Sequence, residues 1–134
     1  MSGTAPNPDM SHIVLVTAHD SGLRDALEFL FSAEGYGVQS VENGEALLSL
    51  QLPQRDSCIV LDQDLPGLSG LKTIEALRRR GVTLPVVLLA GRRRDLAWWL
   101  GRQSYVQLVE KPLLGEALLE AVAATLEKRG SRSD

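Results

Sequence analysis

Apolar and polar positions along this chain fall into two alternating patterns. Short apolar runs occur at Ile13 to Val16, Tyr36 to Val41, Ser57 to Asp62, Leu84 to Ala90 and Tyr105 to Val109. Their length and their β-branched residues predict strands. Between them, apolar residues recur at helical spacing. Leu23, Ala26, Leu27, Leu30 and Phe31 predict a helix over Gly22 to Glu34, with Asp20 or Ser21 as N-cap and Gly35 as its stop. Asn43 caps a short helix through Leu50, and Pro53 breaks the chain after it. Ser69 caps a third helix that carries Leu71, Ile74 and Leu77 and ends in Arg78-Arg79-Arg80 before Gly81. Cations suit the negative end of a helix dipole. Asp95 to Arg102 predicts a fourth helix. Leu113 to Lys128 predicts a fifth, with Leu114, Leu118, Leu119, Val122 and Leu126 inward.

Strands that alternate strictly with helices imply an α/β fold: a five-stranded parallel sheet, doubly wound, with five helices on its two faces. The domain spans residues 12–128. A small, polar, proline-containing leader (1–11) precedes it, and a polar tail (129–134) follows.

Composition narrows this picture. The 134 residues are 44% hydrophobic, enough for one domain with a proper core. Net charge is -3, which offers no bulk attraction to nucleic acid or to anionic membrane. The arginine triplets 78–80 and 92–94 fall at opposite ends of the sheet, so they form no continuous basic stripe. No apolar run is long enough to span a bilayer. The single cysteine, Cys58, sits in an apolar strand, reads as a core residue and fits a reducing cytoplasm.

Candidate chemistry gathers at the strand ends. Cys58-Ile59-Val60-Leu61 reads as a strand buried on both faces, and it runs into Asp62-Gln63-Asp64 before Pro66-Gly67 turns the chain. Asp62 thus lies at the carboxyl end of a parallel strand, where open α/β sheets bind ligands. Leu108-Val109-Glu110-Lys111-Pro112 brings a lysine to the end of another strand. A carboxylate and an ammonium on two strand ends suit a phosphoryl group.

With these motifs the chain resembles the receiver domain of two-component response regulators, and among them receivers of the LuxR-output class. The resemblance rests on Asp62-Gln63-Asp64-Leu65-Pro66-Gly67-Leu68-Ser69-Gly70-Leu71, on Leu84-Pro85-Val86-Val87-Leu88-Leu89 and on Glu110-Lys111-Pro112. It implies a flavodoxin-like receiver fold and a phosphorelay role without enzymatic activity of its own. Asp62 would be the phosphoacceptor and Lys111 its partner, with a cis bond at Lys111-Pro112. The implied partner is a sensor histidine kinase or another signalling protein.

Several family positions are altered. Counting back from Arg24, the two acids that normally hold Mg²⁺ fall on Ala18 and His19, with Asp20 one residue late. Mg²⁺ prefers oxygen ligands in near-octahedral geometry, so His19 and Asp20 make a degenerate metal site. The imidazole with Asp62 better suits a softer metal such as Mn²⁺ or Zn²⁺. Ala90 replaces the hydroxyl that would bind the phosphoryl group, and Leu108 replaces the aromatic switch. An atypical receiver with weakened metal binding and switching is therefore expected.

Two unit charges such as Asp62 and Asp64 repel by about 4 kcal/mol at ~4 Å and an effective dielectric near 20. Lys111 is one candidate to offset this. Arg92 or Arg93, in the segment after the fourth strand, is expected to pair with Asp64 or Asp62. Trp98, Trp99 and Tyr105 fall on the fourth-helix, fifth-strand, fifth-helix face, which the resemblance implies is an interface for a partner or a homodimer. Adjacent helical positions point about 100° apart, so one tryptophan is expected inside and one outside. An alternative is a haloacid-dehalogenase-like phosphatase using Asp62 and Asp64. Against it, Pro66 stands where that family has Thr or Val, and no later acidic metal motif is found.

Overall fold

The computed structural model describes residues 12–53 and 56–132, with side chains through 126. The expected leader lies outside the described residues. Strands β1 (Ile13–Thr17), β2 (Gly37–Val41), β3 (Ser57–Asp62), β4 (Val86–Ala90) and β5 (Val106–Glu110) alternate with helices α1 (Ser21–Ala33), α2 (Gly44–Ser49), α3 (Gly70–Arg79), α4 (Arg93–Leu100) and α5 (Gly115–Arg132). All neighbouring strands pair in parallel, in the order β2-β1-β3-β4-β5. This is the doubly wound sheet that the alternating pattern predicts.

Successive strand residues face opposite sides of the sheet, and they divide the core in two. Val14, Val16, Cys58, Val60, Val87 and Leu89 pack with Leu27 and Phe31 of α1 and with Leu118 and Val122 of α5. Leu15, Ile59, Leu61, Val86, Leu88 and Leu108 pack with Leu47 of α2, Ile74 and Leu77 of α3, and Trp99 of α4. Every residue of β3 and β4 is buried, as strands covered on both faces require.

The caps follow the sequence. The Asp20, Asn43 and Ser69 side chains accept from the backbone N–H groups of Leu23, Ala46 and Lys72. Boundaries differ where a backbone group has a better partner. Tyr105 adopts φ 61°, so β5 begins one residue later than the apolar run. Helix α4 begins at Arg93, ahead of the expected Asp95, because the Glu110 carboxylate accepts from the Arg93 N–H. Helix α5 starts at Gly115 and continues to Arg132, through most of the expected tail. Leu114, expected to face inward, lies before this helix and is exposed.

Candidate functional site

The parallel arrangement brings the ends of β1, β3, β4 and β5 to one edge of the sheet. Asp62 closes β3 and is only 4% exposed. Two features of α3 hold the backbone around it. Gly70 N–H donates to the Gln63 carbonyl, and Leu71 N–H donates to Gln63 Oε1. Helix α3 also approaches so closely that a Cβ at Gly70 would lie 2.7 Å from the Asp62 carbonyl oxygen and 2.8 Å from Gln63 Cα. Glycine is needed there because only backbone fits against backbone.

Lys111 follows β5, and its N–H donates to the Ala90 carbonyl at 2.8 Å. Its peptide bond to Pro112 is cis, as the resemblance implies. The ammonium lies 2.8 Å from Asp62 Oδ1 and 3.3 Å from Asp64 Oδ2, so one cation bridges both carboxylates. Asp64 N–H also donates to Asp62 Oδ1 at 3.3 Å. Partial burial pushes the Lys111 pKa down, but the hydrogen bond and charge of Asp62, followed by those of Asp64, outweigh it and leave the value raised. Lys111 is thus a fixed positive charge beside the buried acid.

The end of β1 contributes no comparable oxygen ligands. Ala18 is buried and His19 is exposed. The Asp20 carboxylate, expected as a degenerate metal ligand, instead accepts from Leu23 N–H at 2.7 Å. The carbonyls of Ala18 and His19 accept from the Arg24 guanidinium at 2.9 and 3.2 Å. Among the described residues, no group of three or more His, Cys, Asp or Glu side chains comes together to hold a metal ion. This donor set does not fit Mg²⁺, which favours several oxygen ligands in near-octahedral geometry.

The arginines take positions that sequence reasoning missed. Arg92 is exposed at the N-cap of α4, and among the described residues no ion pair joins it to Asp62 or Asp64. Arg93 turns away from them: its guanidinium donates to the Leu108 carbonyl at 3.0 Å, while its backbone N–H donates to Glu110 Oε2 at 2.6 Å. The expected arginine–aspartate pair is therefore replaced by Lys111, which lies nearer both carboxylates. The sequence signal for Glu110 is an acid at the end of a strand whose neighbour runs into the start of a helix.

Ala90 and Leu108 are both buried, each 3% exposed, so neither family-switch position offers a polar side chain to the pocket. Trp98 is 65% exposed and Trp99 2%, the division that adjacent helical positions predict. Trp99 is consequently no surface residue. Its ring packs beneath α4, and its Nε1 donates to Glu75 of α3 at 3.1 Å. Trp98 and Tyr105 remain exposed. Among the described residues, no helix is long and apolar enough to cross a membrane.

Residues 12–123 match the response regulator receiver domain family. The transcriptional regulatory protein AfsQ1 of Streptomyces coelicolor is 35% identical over 89% of this chain and 52% of its own length. Nodulation protein W of Bradyrhizobium diazoefficiens is 32% identical over 91% of this chain and 54% of its own. FixJ of Azorhizobium caulinodans is 32% identical over 84% and 54%. The chain spans about half the length of these curated relatives. In three dimensions it is similar to the response regulator StyR, with TM-score 0.74 and 26% identity over 90% of this chain and 64% of that one. The fold is also that of the chemotaxis response regulator CheY4 of Vibrio cholerae, with TM-score 0.75 and 21% identity over 86% and 98%. Neither the family match nor these relatives support the phosphatase alternative. A parallel sheet in the order β2-β1-β3-β4-β5, an acid closing β3, a lysine after β5 and the family match agree, and the chain belongs to the response regulator receiver domain family.

Proposed function

We propose that this receiver accepts a phosphoryl group on Asp62 in a pocket whose positive charge comes from Lys111 rather than from a divalent cation. The supporting observation is the Lys111 ammonium bridging Asp62 and Asp64 beside a β1 end that carries Ala18 and His19 in place of acids and whose Asp20 carboxylate caps α1. A carboxylate oxygen of Asp62 attacks the phosphorus of a phosphohistidine or a small acyl phosphate. The new O–P bond forms as the P–N or P–O bond to the leaving group breaks, and the imidazole or carboxylate departs with the electron pair. Lys111 Nζ can follow the charge onto the phosphoryl oxygens.

The transfer is slow, because one ammonium replaces a cation that would contact several oxygens and Ala90 adds no hydroxyl. The chain passes its signal on by protein–protein contact through the face where Arg94 and Trp98 lie one helical turn apart on α4. Exposed aromatic and arginine side chains are enriched at interfaces. A sensor histidine kinase is the donor, and a signalling protein or a second copy of this chain is the receiver of the signal.

Mass spectrometry after incubation with acetyl phosphate tests this, in Mg²⁺ and in chelator, with Asp62→Ala as control. The expected result is a labile, low-yield adduct that is similar in both buffers and absent from the variant. An adduct that requires Mg²⁺, one that survives Asp62→Ala, or no adduct at all would contradict the proposal.

A further inference from the structure

Helix α4 is fastened to its neighbours at three points. At its N-terminus, Arg93 makes two hydrogen bonds to β5: backbone N–H to Glu110 Oε2 and guanidinium to the Leu108 carbonyl. In its last turn, Trp99 is buried and donates to Glu75 on α3. Beyond its C-terminus, the Arg78 guanidinium gathers the carbonyls of Val82, Leu84 and Ser104, at 2.9, 2.9 and 3.0 Å, so the α4–β5 connection is tied to the end of α3. Each contact has one charged partner, a guanidinium donor or a carboxylate acceptor, and hydrogen bonds with a charged partner are the stronger kind.

None of these fastenings passes through Asp62. Among the described residues, the Asp62 carboxylate reaches β5 through Lys111, whose N–H rests on the Ala90 carbonyl, and the backbone beside it joins β4 by ladder pairing, with Gln63 N–H donating to the Leu89 carbonyl. Ala90 and Leu108 lie between pocket and helix as apolar packing. A change of charge at Asp62 therefore finds no polar side chain at either position through which to pull on α4.

We infer that Arg93 is a positioning residue, a latch between the β4–α4 junction and β5, and that it presents the outer face of α4 in one arrangement whatever the state of Asp62. The latch itself is independent of the phosphoryl-transfer reading. Its meaning for signalling is a contact face already in place before any phosphoryl transfer to Asp62, and it stands whether or not that transfer occurs.

Amide hydrogen exchange on the whole chain tests the latch. The double variant Arg93→Ala with Glu110→Ala removes both fastenings to β5. Exchange of the α4 amides is expected to rise by on the order of ten-fold, since each bond lost has a charged partner. Amides of β1 and β3 should be unchanged and serve as the internal reference. Asp62→Asn, which removes charge from the pocket, should leave α4 exchange at the wild-type rate. If the double variant loosens the whole sheet, Glu110→Gln alone should give a smaller rise confined to α4. Wild-type exchange in α4 of whichever latch variant keeps the sheet protected would overturn the inference. So would a response to Asp62→Asn as large as that to the latch variant. Failure of acetyl phosphate to modify Asp62 would count against the phosphoryl-transfer reading and leave the latch standing.

Discussion

Replacing Lys111 with methionine keeps the side chain's length and apolar stem and removes its ammonium. In the wild type that ammonium lies 2.8 Å from a carboxylate that is only 6% exposed, and 3.3 Å from one that is 78% exposed. Breaking a buried ion pair from one side costs about 3–5 kcal/mol, because the other charge is left uncompensated. The Lys111 side chain is itself 29% exposed, and water reaches the pair, so about 2 kcal/mol is expected here. The Asp64 contact adds little, as exposed pairs do. For a domain of this size the loss corresponds to a fall in Tm of about 6–10 °C.

Urea unfolding followed by the emission of buried Trp99 measures the loss. Repeating it in an Asp62→Asn background isolates the pair. The substitution should cost about 1–2 kcal/mol less once the buried charge is gone. The effect also has a pH signature. The folded Lys111 pKa is raised above 10.5, so its contribution is fully present below that value and disappears as pH rises through the folded pKa. The gap between wild type and Lys111→Met should therefore hold from neutral pH to about 10.5 and close above it. Cys58 needs separating from this. Burial pushes its thiol up from 9.0 to about 12, so the unfolded chain ionises first and stability falls across that interval. Measured in a Cys58→Ala background, the part of the alkaline loss that disappears with Lys111→Met belongs to Lys111. Equal stability of Lys111→Met and wild type, or a coupling with Asp62 of zero, would show that the ammonium does not stabilise the buried carboxylate.

Two further outcomes follow from where side chains are spent. Asp20→Ala should cost about 1 kcal/mol by thermal unfolding, because it removes the α1 cap, and should leave the acetyl phosphate reaction unchanged. Trp99→Ala should cost about 3–5 kcal/mol as a core truncation, whereas Trp98→Ala should change stability by less than about 0.5 kcal/mol. Acrylamide quenching should then fall in Trp98→Phe, where only the shielded ring remains.

The sheet was legible in the sequence because burial on both faces leaves continuous apolar runs, as in Ile59 to Leu61 and Val86 to Leu89. Strand order placed Asp62 and Lys111 at one edge. Helix caps were legible because an N-cap needs only its own residue and the N–H groups just after it. What could not be read was the direction of long side chains after β4. Arg92 and Arg93 could equally have turned towards the aspartates. Their choice depends on Glu110 across the sheet edge and on a lysine already filling the space between the two acids. Asp20 shows the same limit. As a carboxylate it suited either a metal or a helix end, and the nearby Leu23 N–H claims it. Leu114 was misplaced because helical periodicity does not say where the first turn begins.

On the proposed mechanism, Lys111 supplies the positive charge that a divalent cation would otherwise bring to Asp62. Paramagnetic Mn²⁺ titrated into the ¹⁵N-labelled chain tests this most directly, since broadening of amide signals marks any bound ion. No broadening centred on Asp62, Gln63 and the Ala18–Asp20 segment is expected beyond that of exposed acids elsewhere. Saturable broadening at those amides, at Mn²⁺ concentrations that leave the other acids sharp, would contradict it.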